Sequence, residues 1–562
     1  MSSGPFPAEG HRPSGGAPAS PAVRWAGTKA FLLDCGSLPE VTRWHAHLAA
    51  HPFPGQTDVL AAAATVLVSF VSARAARAAA DAIDSVHPAA SAEAQGKTVE
   101  IPVVYDGEDL AEVARLTGLS EQGVVDAHTG TAWTAAFGGF APGFVYLVAP
   151  GDPLDVPRRD TPRTAVPAGS VALAGTFSAV YPRRSPGGWQ LIGRTDAVLW
   201  DETRESPTLI RPGDTVRYRA VRELVSVADD DAAGAVIAPE TAAPHALTVD
   251  HPGTQTLVQD LGRPGLGDLG VVASGATDRP SAAQANRLVG NPEDRAVLEV
   301  LLGGLSLTAR GHHVLALAGA PVTATITDAS GEHTRSAPFC APFALYDGER
   351  LTLDTPVAGL RCYVAVRGGV DVPEVLGSRS SDVMSGIGPR PLAAGENLPV
   401  GAAPRRAVGL PEAPATPVPD GDGAVSLRIS LGPRDDWFTA GSLAVLTGRT
   451  WRVGSDSNRV GVRFEEPAGG QRLERARPEE LASEGVAAGS LQVPHSGVPV
   501  LFLADHPVTG GYPVIAVVAP EDLPLAAQLA PGAAVCFVRD DDAAEPPVRE
   551  TSPSDTPSGD TA

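Results

Sequence analysis

Hydrophobic and polar positions fall into two rhythms along this chain. Near the start, Ala30–Leu33 reads as a short strand. Apolar residues at helical spacing predict helices over 38–50 and 72–87, with a strand over 65–70 between them. Two further helices are predicted over 108–116 and 120–127. From His128, which reads as the start of a turn, the period drops to two: short apolar runs alternate with Gly and Pro breaks. The second half keeps that rhythm, with its clearest helix over 281–289. Many short, punctuated strands favour barrels or sandwiches over a doubly wound sheet. The expected fold is mainly β with α+β lobes.

Two distant segments repeat one set of landmarks. A Gly-Ser step, Gly169-Ser170 or Gly489-Ser490, enters an alternating strand. A Gly-Gly-aromatic turn follows, Gly187-Gly188-Trp189 or Gly510-Gly511-Tyr512. Each segment closes on a Pro-Gly-led strand, Pro212-Gly213 to Tyr218 and Pro531-Gly532 to Phe537. The shared order predicts a duplicated β module whose Gly-Gly corners face a ligand. Polar, Pro- and Ser-rich stretches then divide the chain. They predict disordered tails at 1–22 and 539–562 and linkers at 229–245 and 402–424. The folded units between them are an α+β lobe at 23–104, a β module at 105–228, a lobe at 246–401 and a second β module at 425–538.

A chain of 562 residues has room for roughly three to four domains. Its net charge of −22 argues against a nucleic-acid partner. No apolar run reaches the ~18 residues of a membrane-spanning helix, and the N-terminal residues lack a secretory signal pattern. The expectation is a soluble, cytoplasmic protein. Cys35, Cys340, Cys362 and Cys536 are scattered, with neither a disulfide framework nor a zinc pattern, and no metal site is expected. Only Lys29 and Lys97 are lysines. Neither sits between methionines, so covalent biotin is not expected on this chain, and no Gly-Lys-Ser/Thr triplet builds a P-loop. A bound anion must rely on arginine or backbone amides.

Candidate chemistry follows from that constraint. In Phe137–Leu147, Gly139, Pro142 and Gly143 bend the chain between Phe140, Phe144 and Tyr146, which line a pocket or fill a core. Arg158, Arg159 and Arg163 cluster within six residues on a backbone stiffened by Pro157 and Pro162, suiting a carboxylate or phosphate, or else pairing with Asp155 and Asp160. Gln259, Asp260 and Arg263 cluster at the tip of a strand. Asn286 either anchors a loop or meets ligand, and Ser378, Ser380 and Ser381 offer an anion cradle. No nucleophile elbow accompanies His128, and His312-His313 reads as structural.

Taken together, the motifs resemble a known family. His128-Thr129, Gly139–Phe144, Pro157-Arg158, Thr161-Pro162-Arg163, Val166–Ser170 and Pro186–Trp189 resemble the B subunit of bacterial 5-oxoprolinase, also known as the Kip kinase inhibitor or allophanate hydrolase subunit 1. Val258–Gly265, Ser274-Gly275-Ala276, Ala285–Asn291, Arg367-Gly368-Gly369, Gly377–Ser380, Gly432-Pro433-Arg434, Gln492-Val493-Pro494 and Thr509–Pro513 resemble its C subunit, or allophanate hydrolase subunit 2. Asp456–Gly461 departs from that pattern, which has a methionine before the glycine. The pair also resembles the carboxyltransferase region of urea amidolyase.

The resemblance implies a cyclophilin-like barrel in each half. It implies a fused B–C component of an ATP-dependent 5-oxoprolinase, with ATP and magnesium as cofactors, a separate 5-oxoprolinase A-type partner protein, a small amide or lactam substrate and room for a homo-oligomer. The alternatives are biotin-dependent carboxyl transfer and regulation of a histidine kinase. For the lactam reaction the candidate cations are Arg158, Arg163 and Arg263, with Asp260 or His128 transferring protons. The expected contact residues are Phe140, Pro142, Gly143, Tyr146, Gly187, Gly188, Trp189, Gln259, Asn286, Ser378, Gln492, Gly510, Gly511 and Tyr512.

Overall fold

The computed structural model describes residues 20–88, 96–159, 161, 163–224, 245–418, 423–465 and 471–540. Most of both predicted tails, most of the 229–245 linker, and Asp160 and Pro162 of the arginine loop lie outside these residues.

A small lobe comes first. Its antiparallel sheet orders Ala22–Trp25, Ala30–Asp34, Thr65–Phe70 and Gln56–Ala61. Helix Leu38–Ala50 buries Val41, Trp44 and Leu48, the stripe its helical period demanded. Helix Ala73–Ala82 starts where the Ser72 side chain accepts from the Ala75 N–H.

The duplicated modules are both closed barrels. In chain order the first has strands Thr98–Val103, Trp133–Gly138, Val145–Val148, Ser170–Ala174, Phe177–Val180, Gln190–Arg194 and Thr215–Ala220. The second has Val425–Leu431, Thr450–Arg452, Gly461–Arg463, Ser490–Gln492, Val500–Phe502, Val514–Val518 and Ala534–Arg539. In each, the first and last strands pair in parallel. A single antiparallel bridge closes each ring, Val104 to Arg194 and Val453 to Phe464. Each second strand begins at or beside a tryptophan whose indole N–H donates to a carbonyl five residues back, Trp133 to His128 at 3.0 Å and Trp451 to Leu446 at 3.1 Å. Each barrel also carries a two-stranded satellite, Arg163–Val166 with Ser185–Gly187 and Glu484–Gly485 with Thr509–Gly510. The Gly-Ser strand entries, the Gly-Gly corners and the closing Pro-Gly-led strands of the predicted repeat recur in both modules.

Helix Glu121–Gly130 runs past its predicted end and takes in His128, which is helical rather than the start of a turn. The Ser120 cap starts this helix, and the Trp133 indole holds its last turn. Between 246 and 399, a six-stranded and a five-stranded sheet enclose a shared apolar core, with helix Arg279–Leu288 on the outer face of the smaller sheet. Residues 402–418, read from composition as part of a linker, are pinned to this lobe. Arg367 donates to the Pro404 and Arg406 carbonyls, both at 2.6 Å, and Thr416 donates to Asp278 at 2.8 Å. Among the described residues, no helix is long and apolar enough to cross a membrane.

Candidate functional site

Strand alternation sorts the first barrel's side chains. Val145 and Leu147 fill its interior, whereas Phe144 and Tyr146 point outward. Outside, Phe137 stacks on Tyr146 at 4.4 Å, and Phe144 meets Phe140, Tyr181 and Trp189 edge-on at 5.2 to 5.5 Å. This wall is continuous with the core of the small lobe.

The second barrel's corner closes against it. The Phe140 backbone has φ of 64°, a strained setting for an aromatic residue, and its N–H donates to Thr509 Oγ1 at 3.0 Å. A side chain on Gly139 would strike that same threonine. The Tyr146 phenol is pushed up by burial and drawn back by hydrogen bonding with Ser483, by Arg158 and by hydrogen bonding with Thr509. Both Gly-Gly corners therefore flank one loop. The Arg159 N–H donates to the Gly188 carbonyl at 2.8 Å, and Arg158 Nη1 lies 3.7 Å from where a Cβ on Gly511 would sit. Gln492 steadies the second corner by donating to the Tyr512 carbonyl at 3.0 Å. Arg475 lies over the Tyr512 ring at 5.6 Å.

The predicted residues thus divide. Phe140, Tyr146, Arg158, Arg163, Gly187, Gly188, Trp189, Gln492, Gly510, Gly511 and Tyr512 gather around this seam, whereas Pro142 and Gly143 lie against the turn at Leu269 and Gly270, the Gly143 N–H donating to the Leu269 carbonyl at 3.2 Å. Among their arginines only Arg158 is exposed, with no ion pair to a described residue. Arg163 is committed elsewhere: it pairs with Asp109 at 2.9 Å and Glu108 at 3.0 Å. Burial pushes Asp109 up, but the Arg163 hydrogen bond and the Leu191 N–H hold it below the usual carboxylate range.

The remaining candidates sit elsewhere, in structural settings. His128 is fully buried inside the first barrel, its nitrogens bonded to Tyr105 Oη at 2.7 Å and Ser178 Oγ at 2.9 Å. Burial lowers its pKa to about 3. That position does not suit the proton transfer expected of it. The serine cradle holds an anion from its own chain: Asp260 accepts from Ser378 Oγ at 2.7 Å, the Arg379 N–H at 2.6 Å and the Gly262 N–H at 2.7 Å. Asp260 is thereby a loop lock rather than a free acid–base group, and Ser378 is its donor rather than a ligand contact. Arg263, 2% exposed, donates to the Val375 and Ser380 carbonyls and cannot meet a substrate without moving. Gln259 donates to the Ser381 carbonyl at 2.8 Å. Asn286 anchors the turn after its helix by donating to the Arg295 carbonyl at 2.7 Å. Among the described residues, no group of three or more His, Cys, Asp or Glu side chains is placed to hold a metal ion.

Comparison with known proteins separates the two halves of the chain. Residues 21–210 match the carboxyltransferase domain, subdomains C and D, and residues 269–539 match subdomains A and B. Over 296 residues the chain is 36% identical to the 5-oxoprolinase C subunit of Escherichia coli, covering 52% of this chain and 91% of that protein. The chain belongs to the carboxyltransferase-domain family. Its first half is 48% identical over 134 residues to the 5-oxoprolinase B subunit of another Escherichia coli strain, covering 23% of this chain and 62% of that protein. The crystal structure of TTHA0988 superposes with a TM-score of 0.78 at 34% identity, covering 91% of this chain and 99% of the other.

Within this carboxyltransferase-domain architecture, sequence reasoning missed the groups that hold the lobes together. Arg459 lies in the segment that departs from the C-subunit pattern. It is buried between Asp505 at 2.8 Å and Glu299, which belongs to the neighbouring lobe. Arg434 joins Glu484 to Asp34 of the small lobe. Thr509 and Arg434 lay inside quoted motifs, but nothing local marks their partners. Arg475 carried no such signal.

Proposed function

We propose that the chain is the fused B–C component of an ATP-dependent 5-oxoprolinase, acting with a separate A-type protein of that enzyme. The observation that carries this reading is the ordered match of its two halves to separate 5-oxoprolinase B and C subunits. The geometry supports it: the corner loops of the two barrels meet around Arg158, which makes no ion pair with a described residue.

An unstrained five-membered lactam resists hydrolysis. ATP with magnesium would supply the activation: transfer of its terminal phosphoryl group to the lactam oxygen would release ADP. Attack of water on the ring carbon would then break the ring C–N bond and release phosphate with glutamate. Arg158 is the cation placed to hold the substrate carboxylate or a phosphoryl oxygen, in the bidentate manner guanidinium allows. The aromatic wall of Phe140, Phe144, Tyr146 and Trp189 excludes water from one side. The Thr509 contact fixes the strained Phe140 corner, so both barrels shape the same wall.

Reconstitution with an A-type partner, ATP and 5-oxoproline tests the reading, with glutamate and ADP measured together. Stoichiometric formation of both is expected. The family's carboxyltransferase description favours a second reading, carboxyl transfer to an amide. Absence of glutamate, alongside product dependent on a carboxybiotin carrier, would decide for that reading.

A further inference from the structure

A cleft of about 640 Å³ lies where the small lobe, the two-sheet lobe and the second barrel meet. Leu60, Leu67, Val272 and Val508 belong to the apolar cluster that builds its walls. The volume suits a small organic ligand, and so does a largely apolar lining with few polar groups.

Two cations reach this space. Lys29 is one of just two lysines in 562 residues and makes no ion pair with a described residue. Arg279 leads the helix Arg279–Leu288, and its Nη2 donates to the Ser274 carbonyl at 3.1 Å. Burial depresses its basicity, yet the side chain is exposed. A group hemmed in by protein but open to solvent faces into a cleft. Asp58, the carboxylate on the lining, is half-buried: burial and Asp268 raise it to about 6, and it accepts from the Val59, Gly267 and Gly265 N–H groups. His506 is buried, with its Nδ1 against the Pro507 carbonyl. The cleft therefore combines apolar walls with cationic groups that make no ion pair with a described residue; Asp260 acts on Arg279 only at a distance and is already held by Ser378 and Arg379.

We infer that this cleft binds a small organic acid, its apolar body against Val272 and Val508 and its carboxylate held by Arg279 and Lys29. The inference goes beyond the proposed reaction, because the cleft lies behind the seam. Val508 lines the cleft, whereas Thr509 meets Phe140 at the seam.

Calorimetric titration of the full chain tests it with two acids, 5-oxoproline and hexanoate, each against its uncharged counterpart, 2-pyrrolidinone and hexanamide. At least one acid is expected to bind about tenfold or more tightly than its neutral partner. Arg279→Gln and Lys29→Met each weaken that binding about tenfold, and Val272→Phe, which fills the space, abolishes it. Circular-dichroism melts of the variants separate lost binding from lost folding. A preference for 5-oxoproline assigns the cleft to the substrate of the proposed reaction, and a preference for hexanoate assigns it to a separate ligand; either supports the inference. Equal binding of acid and amide, binding untouched by all three variants, or no binding of any probe overturns it. Turnover is not read, so failure here is distinct from failure of the oxoprolinase reading.

Discussion

In the first barrel the satellite hairpin carries Arg163 and the barrel module supplies Asp109; in the second the hairpin carries Glu484 and the barrel module supplies Arg434. The rings are equivalent, the hairpins are equivalent, and the pinning pair has reversed its sign. What the fold requires at this place is a buried ion pair, whichever partner supplies the cation. An arginine in such a pair is already satisfied, so a cluster of arginines says little about ligand until each partner is known. Arg159 and Arg163 share Asp109, and Arg158 is left facing the opposite corner.

The strongest way to break this comparison is Arg434→Leu. It strands the buried Glu484 without its paired cation, while Asp34 keeps Arg24 at 2.9 Å, and is expected to cost about 3–5 kcal/mol in urea unfolding. A loss below about 1 kcal/mol would mean that the second pin is dispensable.

The pH dependence sharpens the contrast between the barrel interiors. His128 titrates near 6.5 unfolded and near 3 folded, so the unfolded chain binds the extra proton between those values. The stability tied to neutral His128 is complete above about pH 6.5. It declines by about 1.4 kcal/mol per pH unit as pH falls towards 3. Replacing His128 with Leu should flatten that part of the stability profile; an unchanged slope would place the proton elsewhere.

Arg163→Leu is expected to cost about 1–2 kcal/mol, less than Arg434→Leu, because Asp109 keeps Arg159 and the Leu191 N–H. Arg158→Ala is expected to change stability by less than about 0.5 kcal/mol. If these two variants lose equal stability, the division between a committed and a free arginine fails.

The parts of this fold that could be read from the sequence are those set by local chemistry. Gly169 and Gly489 adopt φ of 75° and 88°, so a Gly-Ser step had to mark both strand entries. The amphipathic helices were visible for similar reasons. The ring order was not, because pairing depends on residues far apart in the chain. The same limit explains the misplaced site residues. Asp260 looked like a free carboxylate because its donors, Ser378 and Arg379, lie 118 and 119 positions away. His128 looked accessible because burial by Tyr105, Ser178 and Tyr218 cannot be seen from its neighbours. The Gly-Gly corners announced themselves, whereas Thr509, which links them to Phe140, needed the tertiary structure.

The most direct test compares turnover of 5-oxoproline, with ATP and an A-type partner, by the wild-type chain and by Arg158→Ala. A shared anion site at the corner seam requires about a hundredfold loss of turnover with an unchanged unfolding midpoint. Wild-type turnover in a folded Arg158→Ala chain would contradict the account.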